Sequence, residues 1–295
     1  MSIHAADYKS IGGITVLIPA YNEQDAVGEV VREIQQLLGP LPHALEILVV
    51  DDGSSDATAA NAEAAGARVL PHRMNIGYGA ALKTGLRHAS HETIVMLDAD
   101  GTYPITAIPD LLQELQLCDM AVAQRSAGKN NIPVARRPAK WLLTQTAQFL
   151  VSRKIPDLNS GLRAFRRSDA VRFLSLYPTG FSFTTTITLA FLSNDLLVHY
   201  IPIQYQQRIG RSKLRPIRDT KNLFMTVIRC ILFFNPLRVC LPAAIVLLVI
   251  STYLALFVRD SHGRILDGTI TILVTSALQI TIVGFLADIL SRLRQ

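Results

Sequence analysis

Charged residues, cysteines and tryptophan are all scarce in this 295-residue chain. Asp, Glu, Lys and Arg make up 18% of it, against about 25% in ordinary soluble domains, while 49% is hydrophobic and the mean hydropathy is +0.29. The three cysteines have no motif spacing, which argues against a disulfide framework or a zinc ribbon and favours a reducing compartment. Low charge and high apolar content exclude intrinsic disorder, and 17 Gly and 14 Pro exclude collagen-like or low-complexity sequence.

Positive charge is concentrated in one stretch. Residues 208–238 hold eight Lys or Arg and one acid, a net +7, so the rest of a chain of net charge +6 sums to −1. A nucleic-acid binder usually carries its basic residues along a face of the folded domain. Here they come just before the most apolar part of the chain. This placement predicts contact with anionic lipid headgroups or phosphates, and no nucleic-acid partner.

Short apolar runs alternate with helical patterns from Ile14 onward. Residues 25–38, 56–65 and 79–88 are predicted helices, and the predicted strands are ITVLIP, EILVVDD, ARVLPH and ETIVMLDAD. Unalternating apolar strands separated by helices are typical of an α/β domain with a mostly parallel sheet. Met1 to Gly13 has no long apolar core, so no signal peptide is predicted.

Two segments near the C-terminus, Val239–Val258 and Gly268–Ala287, each contain twenty residues without a charge. Each is long enough to cross a hydrocarbon core of about 30 Å, although a buried core helix of a soluble fold is the alternative. The short connection Arg259–Arg264 predicts a transmembrane hairpin. Basic residues before the first segment, with Arg292 and Arg294 after the second, predict cytoplasmic ends, although the two arginines of the connection count against this.

The residues between the α/β part and the hairpin have an amphipathic pattern. Apolar residues recur there at helical spacing, at Phe224, Val227, Ile228, Ile231 and Leu232. The pattern predicts a helix lying in the membrane interface, and a helix packed between domains is the alternative. The sequence therefore divides into an α/β domain at 1–215, an amphipathic interfacial helix at 216–238 and two transmembrane helices at 239–290.

Polar residues follow the first two predicted strands. The first runs into Pro19-Ala20-Tyr21-Asn22-Glu23, and the second into Asp51-Asp52-Gly53-Ser54-Ser55-Asp56. Ligands of open α/β sheets bind at the carboxyl ends of the strands. A tyrosine can stack on a base, and carboxylates can accept hydrogen bonds from a ribose or base, so a nucleotide site is predicted. Ser54, Ser55 and Asp56 have the alternative role of capping the next helix.

The fourth predicted strand ends in Asp98-Ala99-Asp100. Two carboxylates at this spacing project from one side of an extended chain. Mg²⁺ and Mn²⁺ prefer oxygen ligands and retain diphosphate oxygens in their coordination shell. Together with the acids of the preceding strand ends, this pair predicts a divalent metal site beside the nucleotide.

Two further features are less specific. Gly77-Tyr78-Gly79 begins like a dinucleotide-binding fingerprint but lacks the third glycine, so a turn or a close backbone approach to a diphosphate explains it better. Arginines recur downstream, and several converging on one cleft would bind phosphates. These basic residues are Arg125, Arg136, Arg137, Arg208, Arg211 and Lys213.

Taken together, these motifs resemble the family 2 glycosyltransferases, and more narrowly the polyprenyl-phosphate (dolichyl-phosphate mannose synthase-like) members with a GT-A fold. The resemblance covers about residues 13–215 and rests on six motifs in order: PAYNE, VVDDGSSD, NIGYGAALKTG, DAD, DLNSGLRAF and RIGRSK. The interfacial helix and the two spans are similar to the tails of membrane-anchored members.

The resemblance implies a role for each matching residue. The nucleotide pocket would contain Pro19, Ala20, Tyr21, Glu23, Asp51 and Asp52, with Asp52 on the base. Asp98 and the Ala99 backbone would hold the nucleotide-sugar, and Asp98 with Asp100 would bind Mg²⁺ or Mn²⁺. Arg208 and Lys213 would close over the diphosphate from a mobile loop, so the catalytic residues would be Asp98, Asp100, Arg125, Arg208 and Lys213. The acceptor region would contain Arg136, Arg137, Asp157 and Ser160.

Two positions depart from the family pattern. Relatives often carry a metal-contacting Gln two residues after the second Asp of the Asp-x-Asp motif, where this chain has Thr102. Many also carry an acid in the region that reads Phe183-Thr184-Thr185-Thr186 here. The third metal ligand and the acceptor-side assignments are therefore left open.

The resemblance implies an enzyme that transfers a sugar, with inversion, from a nucleotide-sugar to undecaprenyl or dolichyl phosphate at the cytoplasmic face of the inner or plasma membrane. UDP is favoured over GDP as the nucleotide, and a homo-oligomer is compatible with such a tail. One alternative is another lipid or a polysaccharide as acceptor, although polysaccharide synthases carry a Gln-x-x-Arg-Trp motif and Trp141 lies outside any such pattern. The other is a non-catalytic membrane protein that binds nucleotide-sugars.

Overall fold

The computed structural model describes residues 12–41, 44–125, 144–149, 151–180, 182–204, 233, 236–258 and 267–292. The chain divides into two compact units, Met1–Thr226 and Val227–Gln295. Most of the interfacial helix predicted at 216–238 lies outside the described residues.

The first half of the larger unit alternates strand and helix, as the apolar pattern predicts. Its elements are β1 (Gly13–Ala20), α1 (Val27–Leu38), β2 (Ala44–Asp51), α2 (Thr58–Ala64), β3 (Arg68–Pro71), α3 (Tyr78–His88) and β4 (Thr93–Met96). β1 pairs in parallel with β2 and with β4, and β2 pairs in parallel with β3. Every residue of β1 is buried, which explains why its sequence is apolar without alternation.

The second half adds three strands to the same sheet. A 3₁₀ turn (Ile105–Ala107) leads into the remaining elements, α4 (Ile108–Glu114), β5 (Met120–Arg125), β6 (Arg163–Arg166), α5 (Arg167–Arg172), α6 (Phe183–Ser193) and β7 (Val198–Ile203). The seven strands lie in the order β3-β2-β1-β4-β6-β5-β7. β6 is antiparallel to both β4 and β5, while β5 and β7 are parallel. The prediction of a mostly parallel α/β sheet is confirmed.

Close packing fixes the helices on the sheet. The apolar side of α1 is buried through Val27, Val30, Val31 and Ile34. α3 lies so near β1 that a Cβ added to Gly85 would be 2.0 Å from Leu17 Cδ1. Because the loops start from these tightly packed elements, the strand ends are held in fixed positions.

The smaller unit contains two long apolar helices, α7 (Leu237–Phe257) and α8 (Asp267–Arg292). Only 11% of the most apolar window of each is buried, and both helices are long and apolar enough to cross a membrane. A Cβ added to Gly284, near the end of α8, would lie 2.6 Å from the Cβ of Cys240, near the start of α7, so the two helices run antiparallel. The predicted segments 239–258 and 268–287 are helical, with only Val258 beyond the end of α7.

Candidate active site

The carboxyl ends of β1, β2 and β4 meet at one edge of the sheet. β1 lies between the other two and connects to each by a parallel pairing, so the strand order reverses direction on either side of it. Such a switch point opens a crevice at the carboxyl edge. Three groups of sequence-predicted site residues meet there: Pro19 to Glu23, Asp51 with Asp52, and Asp98 to Asp100.

The loops after β1 and β2 hold each other by hydrogen bonds. The Asn22 N–H donates to Ser54 Oγ at 2.9 Å, and the Ser55 N–H donates to Asn22 Oδ1 at 2.8 Å. Asn22 has a φ of 51°, an unusual value for a residue other than glycine. The Asp51 carboxylate, which is 5% exposed, accepts from both the N–H and the hydroxyl of Ser54. These contacts hold Pro19, Ala20, Tyr21 and Glu23 along one wall of the crevice.

None of the three residues considered as caps directly precedes α2: that residue is Ala57, which makes no side-chain capping hydrogen bond. Asp56 Oδ1 accepts from the Thr58 N–H at 3.0 Å, in the first turn of α2. Ser54 and Ser55 both bond to Asn22, in the loop after β1. The two serines therefore join the β1 and β2 loops.

Asp52 organises the segment that precedes α3. It is 3% exposed, and its Oδ2 accepts from the Gly77 N–H at 2.7 Å. Its Oδ1 accepts from the Ile76 N–H at 3.0 Å and lies 2.7 Å from His72 Nδ1. The second nitrogen of His72 contacts Thr84 Oγ1 at 3.0 Å. The sequence predicts a base contact for Asp52, and in the structure its carboxylate holds residues 72–77 in place.

Asp98 and Asp100 both lie beyond the end of β4, and Asp100 lies in a turn. The strand ends at Met96, and residues 99–100 form a turn, so the prediction of extended chain through Asp100 is wrong. Gly101, with a φ of 68°, supplies the left-handed conformation that this turn needs. Asp100 Oδ1 accepts from the Thr102 hydroxyl at 2.6 Å and from its N–H at 3.2 Å. Thr102, which stands where relatives often have Gln, thus orients Asp100 from a buried position.

Three residues that the motifs did not assign to the site surround Asp98. The Tyr78 hydroxyl donates to Asp98 Oδ1 at 2.8 Å. A Cβ added to Gly161 would lie 2.3 Å from Asp98 Oδ2, and the Gly161 N–H donates to the Tyr103 hydroxyl at 2.6 Å. Burial and the charge of Asp98 raise the pKa of Tyr78 well above its ordinary value, so its hydroxyl keeps the proton that it donates. The sequence offered one signal for Tyr78: it lies between Gly77 and Gly79. Glycines permit a close backbone approach, and this approach places Tyr78 next to Asp98.

Arg125, predicted as a catalytic residue, and Asp157, predicted for the acceptor region, form an ion pair with two hydrogen bonds. Arg125 Nε and one terminal guanidinium nitrogen each lie 2.8 Å from the Asp157 carboxylate. Burial alone would raise the pKa of Asp157, but the hydrogen bonds and charge of Arg125, with the N–H of Asn159, hold that pKa below its ordinary value. The pair therefore stays ionised at neutral pH and joins the end of β5 to the segment before β6.

Arg163, the first residue of β6, is completely buried. Its guanidinium donates to the Ser160 carbonyl, to the Thr184 carbonyl at 3.3 Å and to Thr188 Oγ1 at 3.0 Å. Burial lowers the pKa of Arg163. The Ser160 side chain, predicted for the acceptor region, is also completely buried. In this structure the backbone of residues 160–161 is thus held between α6 and Asp98.

The carboxylates at this edge suit a divalent metal whose remaining ligands come from a substrate. Among the residues that the structure describes, no three His, Cys, Asp or Glu side chains form a metal-binding cluster. Asp98 and Asp100 supply two carboxylates, and Mg²⁺ or Mn²⁺ sites commonly combine one or two carboxylates with phosphate oxygens and water. Arg136, Arg137, Arg208 and Lys213 lie outside the described residues.

Comparison with known proteins identifies the family. A model of glycosyl transferase family 2 matches residues 15–173, and the chain belongs to this family. It is therefore a glycosyltransferase. An undecaprenyl-phosphate 4-deoxy-4-formamido-L-arabinose transferase from Klebsiella pneumoniae (strain 342) is 30% identical over 239 residues, 78% of this chain and 71% of the relative. A dolichyl-phosphate hexose transferase from Haloferax volcanii is 29% identical over 205 residues, 69% of this chain and 87% of the relative.

Solved structures share the fold at lower identity. Glucosyl-3-phosphoglycerate synthase from Mycobacterium tuberculosis, in complex with Mn²⁺, UDP-glucose and phosphoglyceric acid, matches with a TM-score of 0.61 and 22% identity, covering 77% of this chain and 82% of that one. Mannosyl-3-phosphoglycerate synthase from Rubrobacter xylanophilus matches with a TM-score of 0.57 and 21% identity, covering 77% and 75%. The predicted GT-A-like α/β fold is confirmed.

Proposed function

We propose that this glycosyltransferase moves a sugar from a nucleotide-sugar, with UDP favoured over GDP, to a polyprenyl phosphate such as undecaprenyl or dolichyl phosphate. One observation carries the proposal: a chain with carboxylates at the switch point of a GT-A-like sheet also has two long apolar helices, α7 and α8, that are mostly unburied. The names of the Klebsiella and Haloferax relatives support the same class of acceptor.

The β1 and β2 loops would bind the nucleotide. Tyr21 offers a ring for stacking on the base, and Asp51 and Asp52 are held by the hydrogen bonds described above. Asp52 holds residues 76–77 beside the pocket, and Oδ2, which accepts a hydrogen bond from the Gly77 N–H, is the oxygen we assign to a base N–H. Glu23 is half-buried on this wall, and a ribose hydroxyl is a suitable partner for its carboxylate.

Asp98 and Asp100 would hold Mg²⁺ or Mn²⁺ together with the diphosphate oxygens of the donor. Bound there, such a cation supplies Lewis acidity that stabilises the departing nucleoside diphosphate. Thr102 keeps one Asp100 oxygen oriented through its hydroxyl, and the Ala99 backbone is buried beside it. Arg208 and Lys213 would add positive charge to the leaving group from their basic segment.

On the acceptor side, we assign phosphate recognition to Arg125 and to Arg136 or Arg137. Asp157 orients Arg125 through the pair of 2.8 Å contacts, and a guanidinium is suited to binding phosphate oxygens. Ser160, which we place in the acceptor region, has its carbonyl held by the Arg163 guanidinium, so the backbone there is fixed. An oxygen of the lipid phosphate attacks the anomeric carbon as the bond from that carbon to the nucleoside diphosphate breaks, and the configuration inverts.

This acceptor needs no strong general base. The second ionisation of a phosphate monoester lies near pH 6, so its oxygen is already largely anionic at pH 7. A sugar hydroxyl would instead need a positioned carboxylate. Thr184, Thr185 and Thr186 occupy the region where many relatives have an acid, and all three are buried. A phosphate acceptor is compatible with that replacement.

The membrane hairpin would keep enzyme and lipid substrate together. Moving a polyprenyl chain out of the bilayer costs about 0.8 kcal/mol per CH₂ group. The enzyme must therefore bind the lipid phosphate at the membrane surface. We place the α/β unit and both chain ends on the cytoplasmic side, where nucleotide-sugars are made, with an interfacial helix at 216–238 between the α/β domain and the spans.

Nucleoside diphosphate release by detergent-purified protein tests the proposal. UDP- and GDP-sugars would be scanned with Mn²⁺ or Mg²⁺, with and without undecaprenyl or dolichyl phosphate. We expect release only with lipid phosphate, and a preference for one donor. Nucleotide binding without turnover for every donor and lipid phosphate would contradict the acceptor assignment.

Asp100→Asn supplies the matched test of the metal assignment, with Asp110→Asn as its control. Asp110 is an exposed carboxylate in the first turn of α4 and forms no part of the predicted site. Loss of a metal-binding carboxylate should lower turnover at least 100-fold, by the scale of lost electrostatic stabilisation in active sites. Asp110→Asn should keep wild-type turnover. Equal turnover in both variants would refute the role of Asp100.

A further inference from the structure

We propose that Tyr78 is a positioning residue of the transfer reaction: its hydroxyl orients Asp98 for binding the divalent cation with the donor diphosphate. The inference rests on the proposed function, because it takes Asp98 as a metal and donor contact. It assigns a task to the glycine-flanked tyrosine that the family motifs leave without one.

The first support is the contact itself. The Tyr78 hydroxyl donates to Asp98 Oδ1 at 2.8 Å, and the ring is largely buried. A hydrogen bond from a hydroxyl to a carboxylate is short and strong, so it favours one orientation of that carboxylate. Partners that hold a metal ligand in this way typically change metal affinity or activity about 10–100-fold when removed.

The second support is that the other side of Asp98 is closed by backbone. The space beside Oδ2 admits no side chain at residue 161, where an added Cβ would lie 2.3 Å away. Gly161 itself is held by the bond from its N–H to the Tyr103 hydroxyl. Asp98 is thus bounded by Gly161 at one oxygen and accepts from Tyr78 at the other, so loss of the Tyr78 hydroxyl would remove that hydrogen bond and leave the Gly161 contact in place.

The third support is that Tyr78 is itself fixed at both neighbouring residues. Gly77 has a φ of 121° and donates its N–H to Asp52 Oδ2 at 2.7 Å. Gly79 leaves no room for a side chain, since an added Cβ would be 2.1 Å from the Pro178 carbonyl oxygen. The two glycines therefore allow the chain to pass between Asp52 and residues 178–180 while the tyrosine reaches Asp98. Residues 77–78 thus link Asp52, in the proposed nucleotide pocket, to Asp98, in the proposed metal site.

Tyr78→Phe tests this role by removing the hydroxyl and keeping the ring. Tyr177→Phe is the matched control, because Tyr177 is 2% exposed and its hydroxyl donates to the Ala170 carbonyl at 2.9 Å, outside the crevice. Binding of Mn²⁺ would be followed through loss of the electron paramagnetic resonance signal of the free ion, with UDP and with GDP present. The Mn²⁺ dependence of kcat and of donor KM would be measured beside it, and thermal unfolding would check the fold of both variants.

We expect Tyr78→Phe to raise the half-saturating Mn²⁺ concentration about 10–100-fold while Tyr177→Phe leaves it unchanged. An unchanged value in Tyr78→Phe would overturn the inference, as would an equal rise in both variants. In an Asp98→Ala background, Tyr78→Phe should shift Mn²⁺ binding less than twofold, and a further tenfold loss there would also overturn it. Failure of wild-type protein to bind Mn²⁺ with either nucleotide would refute the metal assignment itself, which separates the two claims.

Discussion

At the scale of single residues, small side chains set the geometry of the charged ones. Asp98 lies against Gly161, and Asp100 receives the hydroxyl of Thr102 in a turn made possible by Gly101. None of these three neighbours carries charge. The motif residues supply the carboxylates, and the residues around them decide where each oxygen points.

Gly161→Ala is expected to damage the site without unfolding the domain. The new Cβ would lie 2.3 Å from Asp98 Oδ2, so the carboxylate must move, and a displacement of about 1 Å at a reacting centre can cost about 100-fold in rate. Steady-state kinetics should show a loss of that order in kcat/KM. Gly180→Ala is the control, since an added Cβ there meets nothing within 4 Å. Comparable kinetics for the two variants would show that Asp98 tolerates the shift.

At the scale of elements, one carboxylate ties the amino-terminal side of the sheet together. Glu46 in β2 accepts from Thr15 of β1 at 2.7 Å, from Arg68 of β3 at 2.8 Å and from the Ser90 N–H at 2.8 Å. Burial alone would raise the pKa of Glu46, but these hydrogen bonds lower it from 4.5 to about 2. None of our proposed substrate contacts lies among Glu46 and its partners. We therefore expect these hydrogen bonds to affect the stability of the fold.

Stability in acid should depend on Glu46. Because its pKa is lower in the folded state than in the unfolded chain, its contribution is fully present above about pH 5 and is lost as the pH falls from 4.5 toward 2. Glu46→Gln should lower the free energy of unfolding at pH 7 by about 1–2 kcal/mol, on the scale of hydrogen bonds to a charged group. The difference from wild type should shrink as the pH approaches 2.

Thermal unfolding followed by circular dichroism between pH 7 and pH 2.5 measures this effect. Glu63→Gln, which changes an exposed residue of α2, is the control and should match wild type throughout. A difference between Glu46→Gln and wild type that stays constant over the whole pH range would contradict the linkage.

At the scale of the whole molecule, the chain consists of two units that differ in composition. The larger unit holds the sheet and the crevice, and the smaller holds α7 and α8, whose outer surfaces are apolar over more than 20 residues each. The basic stretch at 208–238 lies at the junction in sequence. This arrangement is what an enzyme with one water-soluble and one lipid substrate requires.

Topology can be measured with single cysteines in a background where Cys118, Cys230 and Cys240 are alanine. Ser261→Cys lies in the connection between α7 and α8, and Ala64→Cys is an exposed position of α2. If the chain ends are cytoplasmic, as proposed from the basic flanks, an impermeant maleimide should label Ser261→Cys in right-side-out vesicles and Ala64→Cys in inside-out vesicles. The reverse labelling pattern would overturn the cytoplasmic placement.

The amino-acid sequence by itself determined the α/β class, the order of strands and helices through Met96, the two apolar helices and the carboxylates of the crevice. These depend on local periodicity and on residue type, which a linear pattern records. Asp51, Asp52, Asp98 and Asp100 were identifiable because acids directly after apolar strands converge at one edge of a parallel sheet.

Only the tertiary structure decided how these groups are held. The contact of Tyr78 with Asp98, the pairing of Arg125 with Asp157 and the fit of Gly161 against Asp98 join residues 20 to 63 positions apart. The turn at residues 99–100 replaced a predicted extension because the strand pairing of β4 ends at Met96. Such contacts depend on which loops the sheet order brings together, and the antiparallel insertion of β6 between β4 and β5 leaves no periodic signal in the sequence.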